Sequence, residues 1–334
     1  MPSVAVVILN YNGEALLRQF LPSVIQYSGD ASIIVADNAS TDQSLSLLRT
    51  YFPAVKVITL TENFGFCGGY NRALKQVEAD YYVLLNSDVE VTPDWLTPMI
   101  QLLDNHAEIA AVQPKILSYH QRNKFEYAGA GGGFLDCLGY PYCRGRIFNY
   151  TEIDSGQYND TREIFWATGA CLCIRAELFH QQGGFDESFF AHMEEIDLCW
   201  KLIRSGHRIY YTGQRTVFHV GAGTLSKTNP KKTYYNFRNG LTLLLKHLPL
   251  SQLIIKLPIR YFLDLMAAVK FLLEGHPRDA TAVVSAHYAA LSELSETLKK
   301  RRKYKKHSPF STTQLTRRLL PFDYYILGRR TLNQ

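Results

Sequence analysis

Tyr81-Tyr82-Val83-Leu84-Leu85-Asn86-Ser87-Asp88-Val89-Glu90-Val91 begins as an apolar run and breaks abruptly at Asn-Ser-Asp. So uniform a run reads as a strand buried on both faces, as in a parallel sheet covered by helices. In an open α/β sheet, ligands bind beyond the carboxyl ends of such strands. A carboxylate there is either a helix cap or a metal ligand. Thr92-Pro93-Asp94 offers the better cap, for a helix running from Trp95 to Leu103 with Pro at its first position. Asp88 is therefore read as a metal-binding carboxylate that holds a phosphorylated substrate.

Working outward, the same alternation continues on both sides. Upstream, Val4–Leu9, Ile33–Ala36 and Val55–Leu60 read as strands, separated by helical patterns. Ser40-Thr41-Asp42-Gln43 fits a capping box for the helix carrying Leu45, Leu47 and Leu48. Gly65, Gly68 and Gly69 open a further helix before the organising strand. Downstream, Ile109–Val112, Ala170–Ile174 and Arg208–Tyr211 read as strands, the last leading to Val217-Phe218-His219. The segment between Ser118 and Asp160 has no clear periodicity and is expected to be a long functional loop. A helix spans Glu194 to Ser205, stopped by Gly206. The expectation is an α/β fold with a mostly parallel sheet and helices on both faces, over residues 1–225.

From Pro230 the pattern changes to long helices, so residues 226–334 are read as a C-terminal helical region. Ile259, Phe262, Leu263, Met266, Val269 and Leu273 form one apolar stripe opposite charged positions. A second helix from Ala280 to Leu298 ends in Lys299-Lys300-Arg301-Arg302-Lys303-Tyr304-Lys305-Lys306, which implies an anionic partner for that end. Either the stripe and cluster meet the anionic inner leaflet of a membrane, or they form a helical cap with a soluble basic tail. The run Leu253–Leu273 is long enough to span a bilayer, but Lys256, Pro258, Arg260, Asp264 and Lys270 interrupt it. With 334 residues, 46% hydrophobic content, a net charge of +6 and no Cys-x-x-Cys pair, the chain is expected to be globular, without a zinc site. Nothing in it points to nucleic acid. Cytoplasmic residence is the default, with a peripheral place on the inner face of the plasma membrane if the membrane reading holds.

Several side chains could carry chemistry. Asp37 ends a strand and either caps the next helix or contacts a base or ribose; Ser40 as the cap favours the second role. Tyr11 follows the first strand and could stack on a nucleobase, although a loop tyrosine more often simply packs. Asn63-Phe64-Gly65-Phe66-Cys67-Gly68-Gly69-Tyr70-Asn71-Arg72 matches neither the dinucleotide nor the Walker fingerprint. A helix N-terminus with a nearby Arg nonetheless suits a diphosphate. Glu194-Glu195-Ile196-Asp197 clusters carboxylates at a helix start between apolar flanks. That setting raises a carboxyl pKa, as a general base requires. His219 alone reads as structural unless the fold brings it to Asp88.

Taken together these stretches resemble the family-2 glycosyltransferases of the GT-A fold, particularly bacterial rhamnosyltransferase-like members of cell-surface polysaccharide pathways. The resemblance covers about residues 4–223. It rests on Val7–Gly13, Ala36–Asp42, Asn63–Phe66, Leu85–Asp88, Glu194–Lys201 and His219, in that order. It implies an open twisted sheet of GT-A type. It also implies a nucleotide-sugar pocket formed by Leu9, Tyr11, Asp37, Asn63, Gly65, Arg72, Asn86 and Ser87. Asp88 and His219 would hold Mg²⁺ or Mn²⁺, and Trp166, Gly169 and Glu194 would lie on the acceptor side. Asn86 departs from the family's Asp-x-Asp at its first position. Glu195 stands where the family has its catalytic Asp, which leaves Glu195 and Asp197 as alternatives for the base, with Glu195 preferred. The implied activity is inverting transfer from a UDP- or dTDP-sugar to a saccharide or lipid-linked saccharide. Two rivals stand beside it: a non-catalytic nucleotide-sugar or polysaccharide-binding protein of this fold, and a sugar-nucleotide pyrophosphorylase. The second lacks its usual Gly-rich loop between Leu9 and Gly13.

Overall fold

In the computed structural model, which describes residues 2–221, 229–305 and 315–332, the N-terminal alternation is a regular βα succession. It runs β1 Val4–Asn10, α1 Glu14–Tyr27, β2 Ser32–Asp37, α2 Ser44–Tyr51, β3 Lys56–Thr59, α3 Gly65–Leu74 and β4 Tyr81–Asn86. After β5 Val89–Glu90 come α4 Thr97–Asn105 and a long β6, Ile109–Ser118. Four short strands follow: β7 Gly133–Leu135, β8 Pro141–Cys143, β9 Arg146–Ile147 and β10 Tyr150–Thr151. The succession closes with β11 Thr161–Ile164, β12 Cys171–Arg175, α5 Ala176–Gln181, α6 Glu194–Arg204 and β13 Arg208–His219.

The main sheet has nine strands in the order β11-β13-β6-β12-β4-β1-β2-β3, with β5 paired to the end of β13. β3, β2, β1 and β4 are mutually parallel, and β12 enters antiparallel between β4 and β6. This is the GT-A architecture. Alternation along each central strand explains the continuous apolar runs. Val7, Ala36 and Leu84 face one core layer with Tyr70 and Leu74 of α3, while Ile8, Val35 and Leu85 face another with Leu17, Leu21 and Met99 of α1 and α4. The parallel register brings Asn10 beside Asp37 and Leu9 beside Asn86, so the polar strand ends share one edge.

Several local expectations are corrected. The helix expected at Trp95 starts at Thr97, with no side-chain cap, because the Thr92 hydroxyl donates to the Thr216 carbonyl at 2.7 Å instead. Ser40 does not cap α2, which starts at Ser44. Its hydroxyl accepts from Asn10 Nδ2 and Asn12 N at 3.1 and 3.0 Å, long-range bonds invisible to a local motif. The aperiodic segment between Ser118 and Asp160 contains the antiparallel sheet β7–β10, whose strands are too short to show a period.

The C-terminal region comprises α7 Pro230–His247, α8 Leu250–Leu273, α9 Pro277–Ser292, α10 Leu294–Lys305 and α11 Leu320–Tyr325. The single helix expected from Ala280 to Leu298 is thus two, broken at Glu293. The boundary drawn at residue 225 and Lys306 of the basic cluster lie outside the described residues. Among the described residues, no helix is long and apolar enough to cross a membrane. α8 is inverted relative to a helix that covers a core. Arg260 and Asp264 are buried at 2% and 0% exposure, while Ile255 and Phe262 are 66% and 61% exposed.

Candidate active site

The carboxyl edge of the parallel strands is organised by buried polar residues. Asn10 Nδ2 donates to Asp37 Oδ1 at 3.1 Å, and Ser40 N donates to Asp37 Oδ2 at 3.0 Å. Asp37 is fully buried, with both carboxylate oxygens engaged in shaping this loop. Beside it, Asn38 holds the turn before α3: its Nδ2 donates to Asn63 Oδ1 at 2.9 Å and its Oδ1 accepts from Phe64 N at 3.0 Å. Gly65 takes φ +67°, and a Cβ on Gly69 would lie 2.7 Å from Leu9 Cδ1, so these glycines let α3 close against the end of β1. Leu9 is thus a packing partner of α3, and Tyr11 is half exposed just beyond it. Arg72 donates to Glu187 at 2.9 Å and stacks 3.8 Å over the Phe64 ring.

Asn86, Asp88 and His219 come together where β4, β5 and β13 meet. His219 Nε2 lies 3.1 Å from Asp88 Oδ1 and 3.4 Å from Asn86 Nδ2. The fold therefore meets the condition under which His219 acquires a functional reading. Ser87 lies between them in the chain, near Gly13. On the far side of the ring, His219 Nδ1 lies 3.1 Å from Glu126 Oε2. Burial opposes charge on this imidazole, but Glu126 and Asp88 outweigh it and push the pKa up to about 10. Glu126 was not legible in the sequence. It sits in an aperiodic stretch, and the partner that gives it meaning is on β13.

The donor set fits a divalent cation bound together with a substrate. Among the described residues, no cluster of three or more His, Cys, Asp or Glu is placed to hold a metal alone. Asp88 would supply one hard oxygen and His219, once a cation displaces the proton it holds between Asp88 and Glu126, one imidazole nitrogen, which leaves positions for diphosphate oxygens and water. Glu126 occupies the second-nitrogen position that orients a ligating histidine.

The acidic turn of α6 divides its three carboxylates between two tasks. Asp197 is fully buried, with Lys246 Nζ at 2.8 Å from Oδ2, His247 Nε2 at 2.7 Å from Oδ1, and Lys201 Nζ at 3.6 Å. Burial alone would raise its pKa, but Lys246 and Lys201 pull it far below the usual carboxylate range. Glu195 differs: its Oε2 is buried and has no hydrogen-bond partner among the described residues. Desolvation pushes its pKa up to about 7. Glu194 is buried, and desolvation together with Glu195 pushes it well above the ordinary value.

The turn leading into these carboxylates is strained. Phe190, His192 and Met193 have φ of 62°, 68° and 69°, in the left-handed region that non-glycine residues avoid. Residues of α7 hold it. Asn239 Nδ2 reaches the carbonyls of Phe189, Ala191 and His192 at 3.1, 2.9 and 2.7 Å, and Arg238 Nη2 donates to those of Ser188 and Phe189 at 2.8 and 3.1 Å. Neither residue had a sequence signal. The segment after β11 links this turn to the sheet edge: Asn86 N donates to the Ala170 carbonyl at 3.0 Å, and Ala167 N to Cys199 Sγ of α6 at 3.5 Å. Gly169 in this segment packs against Phe66. Trp166 is 3% exposed and donates to the Phe134 carbonyl at 3.0 Å, so its ring packs in the core.

The chain is similar to known proteins. A family model described as glycosyl transferase family 2 matches residues 5–179. The N-acetylglucosaminyl-diphospho-decaprenol L-rhamnosyltransferase of Mycobacterium tuberculosis is 25% identical over 230 residues, covering 64% of this chain and 75% of that protein. The O-antigen biosynthesis protein RfbC of Myxococcus xanthus is 27% identical over 246 residues, covering 70% of this chain. The matched part is only 18% of RfbC. Among solved structures, GalNAc-T7 with UDP, GalNAc and Mn²⁺ superposes with a TM-score of 0.60 at 13% identity, covering 98% of this chain and 57% of that one. The mannosyltransferase PcManGT from Pyrobaculum calidifontis, in complex with GDP-Man and Mn²⁺, gives 0.52 at 15% identity, covering 91% and 82%. At these identities the structural likeness speaks for the fold.

Proposed function

The chain belongs to glycosyltransferase family 2, and from that premise we propose that it transfers a sugar from a nucleoside-diphosphate donor to a saccharide or lipid-linked saccharide in cell-surface polysaccharide synthesis. Inversion at the anomeric carbon is part of this reading. The observation that carries it is the division of labour on α6: Asp197 is bound to Lys246 and His247, while Glu195 keeps a partnerless carboxylate oxygen and a pKa of about 7.

In this mechanism the Glu195 carboxylate takes the proton of an acceptor hydroxyl. The hydroxyl oxygen bonds to the anomeric carbon as the bond from that carbon to the diphosphate oxygen breaks, and the nucleoside diphosphate leaves with the electron pair. Asp88 and His219 would hold a divalent cation, which when bound would supply positive charge opposite the leaving diphosphate. Leu9, Tyr11, Asn63, Gly65, Asn86 and Ser87 line the donor side. Asp37 contributes by fixing the loop on which the base and ribose rest, and Arg72 reaches the diphosphate only by exchanging its Glu187 partner. Glu194 and Gly169 face the acceptor side, supported by Trp166. The relatives named as rhamnosyltransferase and O-antigen proteins support a bacterial cell-surface substrate.

The test is a panel of UDP- and dTDP-sugars, assayed for binding and diphosphate release with the wild-type chain and Glu195→Gln. Donor binding should survive the substitution and transfer should not. Transfer by Glu195→Gln at the wild-type rate would remove Glu195 from the mechanism, and no binding of any nucleotide sugar would remove the transferase reading.

A further inference from the structure

We infer that the outer face of α8, continued by the exposed end of α11, docks onto the surface of an anionic lipid bilayer. Ile255, Phe262, Met266, Val269 and Leu273 recur at helical spacing on one side of α8, and each is exposed. The opposite side is buried and places Arg260 and Asp264 between Leu253 and Ala268. Arg260 Nε donates to Asp264 Oδ1 at 2.9 Å, the Tyr140 hydroxyl donates to the same oxygen at 2.8 Å, and His287 Nε2 lies 3.1 Å from Asp264 Oδ2. α8 is therefore held through Tyr140 and the Leu138 carbonyl to the segment before β8 and through His287 to α9, and its apolar side is the one left outside. Phe322, Tyr325 and Ile326 at the end of α11 are also exposed, and Tyr325 lies 5.8 Å from Lys270 at the edge of the α8 face. An apolar surface running the length of a 24-residue helix exceeds what a solvated monomer ordinarily leaves uncovered.

Charge identifies the occupant. Residues 250–334 carry fifteen Lys and Arg against six Asp and Glu, whereas the rest of the chain carries 21 against 24. Lys270, which pairs with Glu274, lies at the edge of the apolar face beside Tyr325, and Arg329 follows α11, paired with Asp323. Two copies of this net-positive region brought face to face would repel, whereas an apolar face within it suits acyl chains beneath anionic headgroups. Within the basic cluster, Lys300 is paired with Asp186 at 2.6 Å and Arg301 donates to the Leu245 carbonyl at 2.9 Å, so these two face the protein. A lipid-linked acceptor, part of the proposed function, would reach the site from such a surface. The docking face itself is independent of that reading.

Flotation of the full chain with vesicles of phosphatidylcholine, alone or mixed with phosphatidylglycerol, tests this without donor or acceptor. The wild-type chain should float with the mixed vesicles. The variant Ile255→Glu/Phe262→Glu/Met266→Glu, folded by circular dichroism, should need about tenfold more lipid or fail to float. Lys270→Gln/Arg329→Gln/Arg330→Gln, which leaves the apolar face intact, should lose the preference for the anionic mixture. A wild-type chain that floats with neither vesicle overturns the inference, as does a triple-Glu variant that floats equally well. A dimer that the triple-Glu variant converts to monomer, with no flotation of either, assigns the face to self-association instead.

Discussion

The Asn239 side-chain amide meets the His192 carbonyl at 2.7 Å, joining α7 to the turn from which α6 and its carboxylates begin. Three consecutive-region residues with positive φ are thereby held by hydrogen bonds from outside the turn. Asn239→Ala removes the bonds to Phe189, Ala191 and His192, of which only the Phe189 carbonyl keeps another donor, Arg238, among the described residues. Each carbonyl deprived of its partner costs on the order of 1 kcal/mol, so a stability loss of about 2 kcal/mol is expected. Turnover should fall by about tenfold or more as Glu195 loses its position, while donor affinity stays near wild type. Steady-state kinetics alongside calorimetric donor titration separate the two effects.

With Glu195 as the proposed base, transfer should depend on pH. With a pKa near 7 the carboxyl is protonated and inactive as a base on the acid side, so the rate should rise with pH through about 7 and then level off. A rate that is flat between about pH 5.5 and 8.5, with chemistry limiting, would speak against Glu195 as the base.

The same shift has a stability consequence of opposite sign. The folded chain holds the Glu195 proton more tightly than an unfolded chain, whose value is near 4.5. Its contribution is complete below 4.5 and declines as pH rises through 7. Glu195→Gln stays neutral at every pH. It should melt at the wild-type temperature near pH 4 and be more stable at pH 8, by on the order of 2 kcal/mol. Thermal melts at both pH values check this.

Asp197 should behave in the opposite way. Its lowered pKa means that its stabilising contribution is present above the ordinary carboxyl value of 3.8 and is lost as pH falls below that. Asp197→Asn leaves Lys246 and Lys201 buried without this counter-charge, and a loss of about 3–5 kcal/mol is expected in denaturant titrations. A variant as stable as wild type would contradict the assignment of Asp197 to the buried ion-pair network.

Chelation should weaken binding of the nucleoside diphosphate, and added Mn²⁺ or Mg²⁺ should restore it. Asp88→Asn should make binding largely insensitive to the metal. Glu126→Gln, which keeps the shape but not the charge behind His219, should weaken metal affinity by about tenfold or more. Titration calorimetry with and without chelator reads all three.

The parallel half of the sheet was legible because strands such as Val4–Asn10 and Tyr81–Asn86 are buried on both faces and so read as unbroken apolar runs. The Asp88–His219 pairing could be anticipated only as a consequence of family resemblance, since the residues come from strands far apart in sequence. The caps at Ser40 and Thr92 misled because each hydroxyl is recruited by a distant partner, the former by Asn10 and the latter by Thr216. α8 shows a different limit. Its periodicity correctly separates an apolar side from a charged one, but nothing in a period says which side turns inward. Here Arg260 and Asp264 do.

The hold of α7 on α6 bears on how this chain could be recombined with a relative. A splice placed at His219, where the sheet ends, would pair one parent's Asp197 and strained turn with another parent's Asn239, Lys246 and His247. The exchangeable unit therefore extends through α7, and a hybrid joined after His247 keeps the carboxylates and their supports from a single lineage.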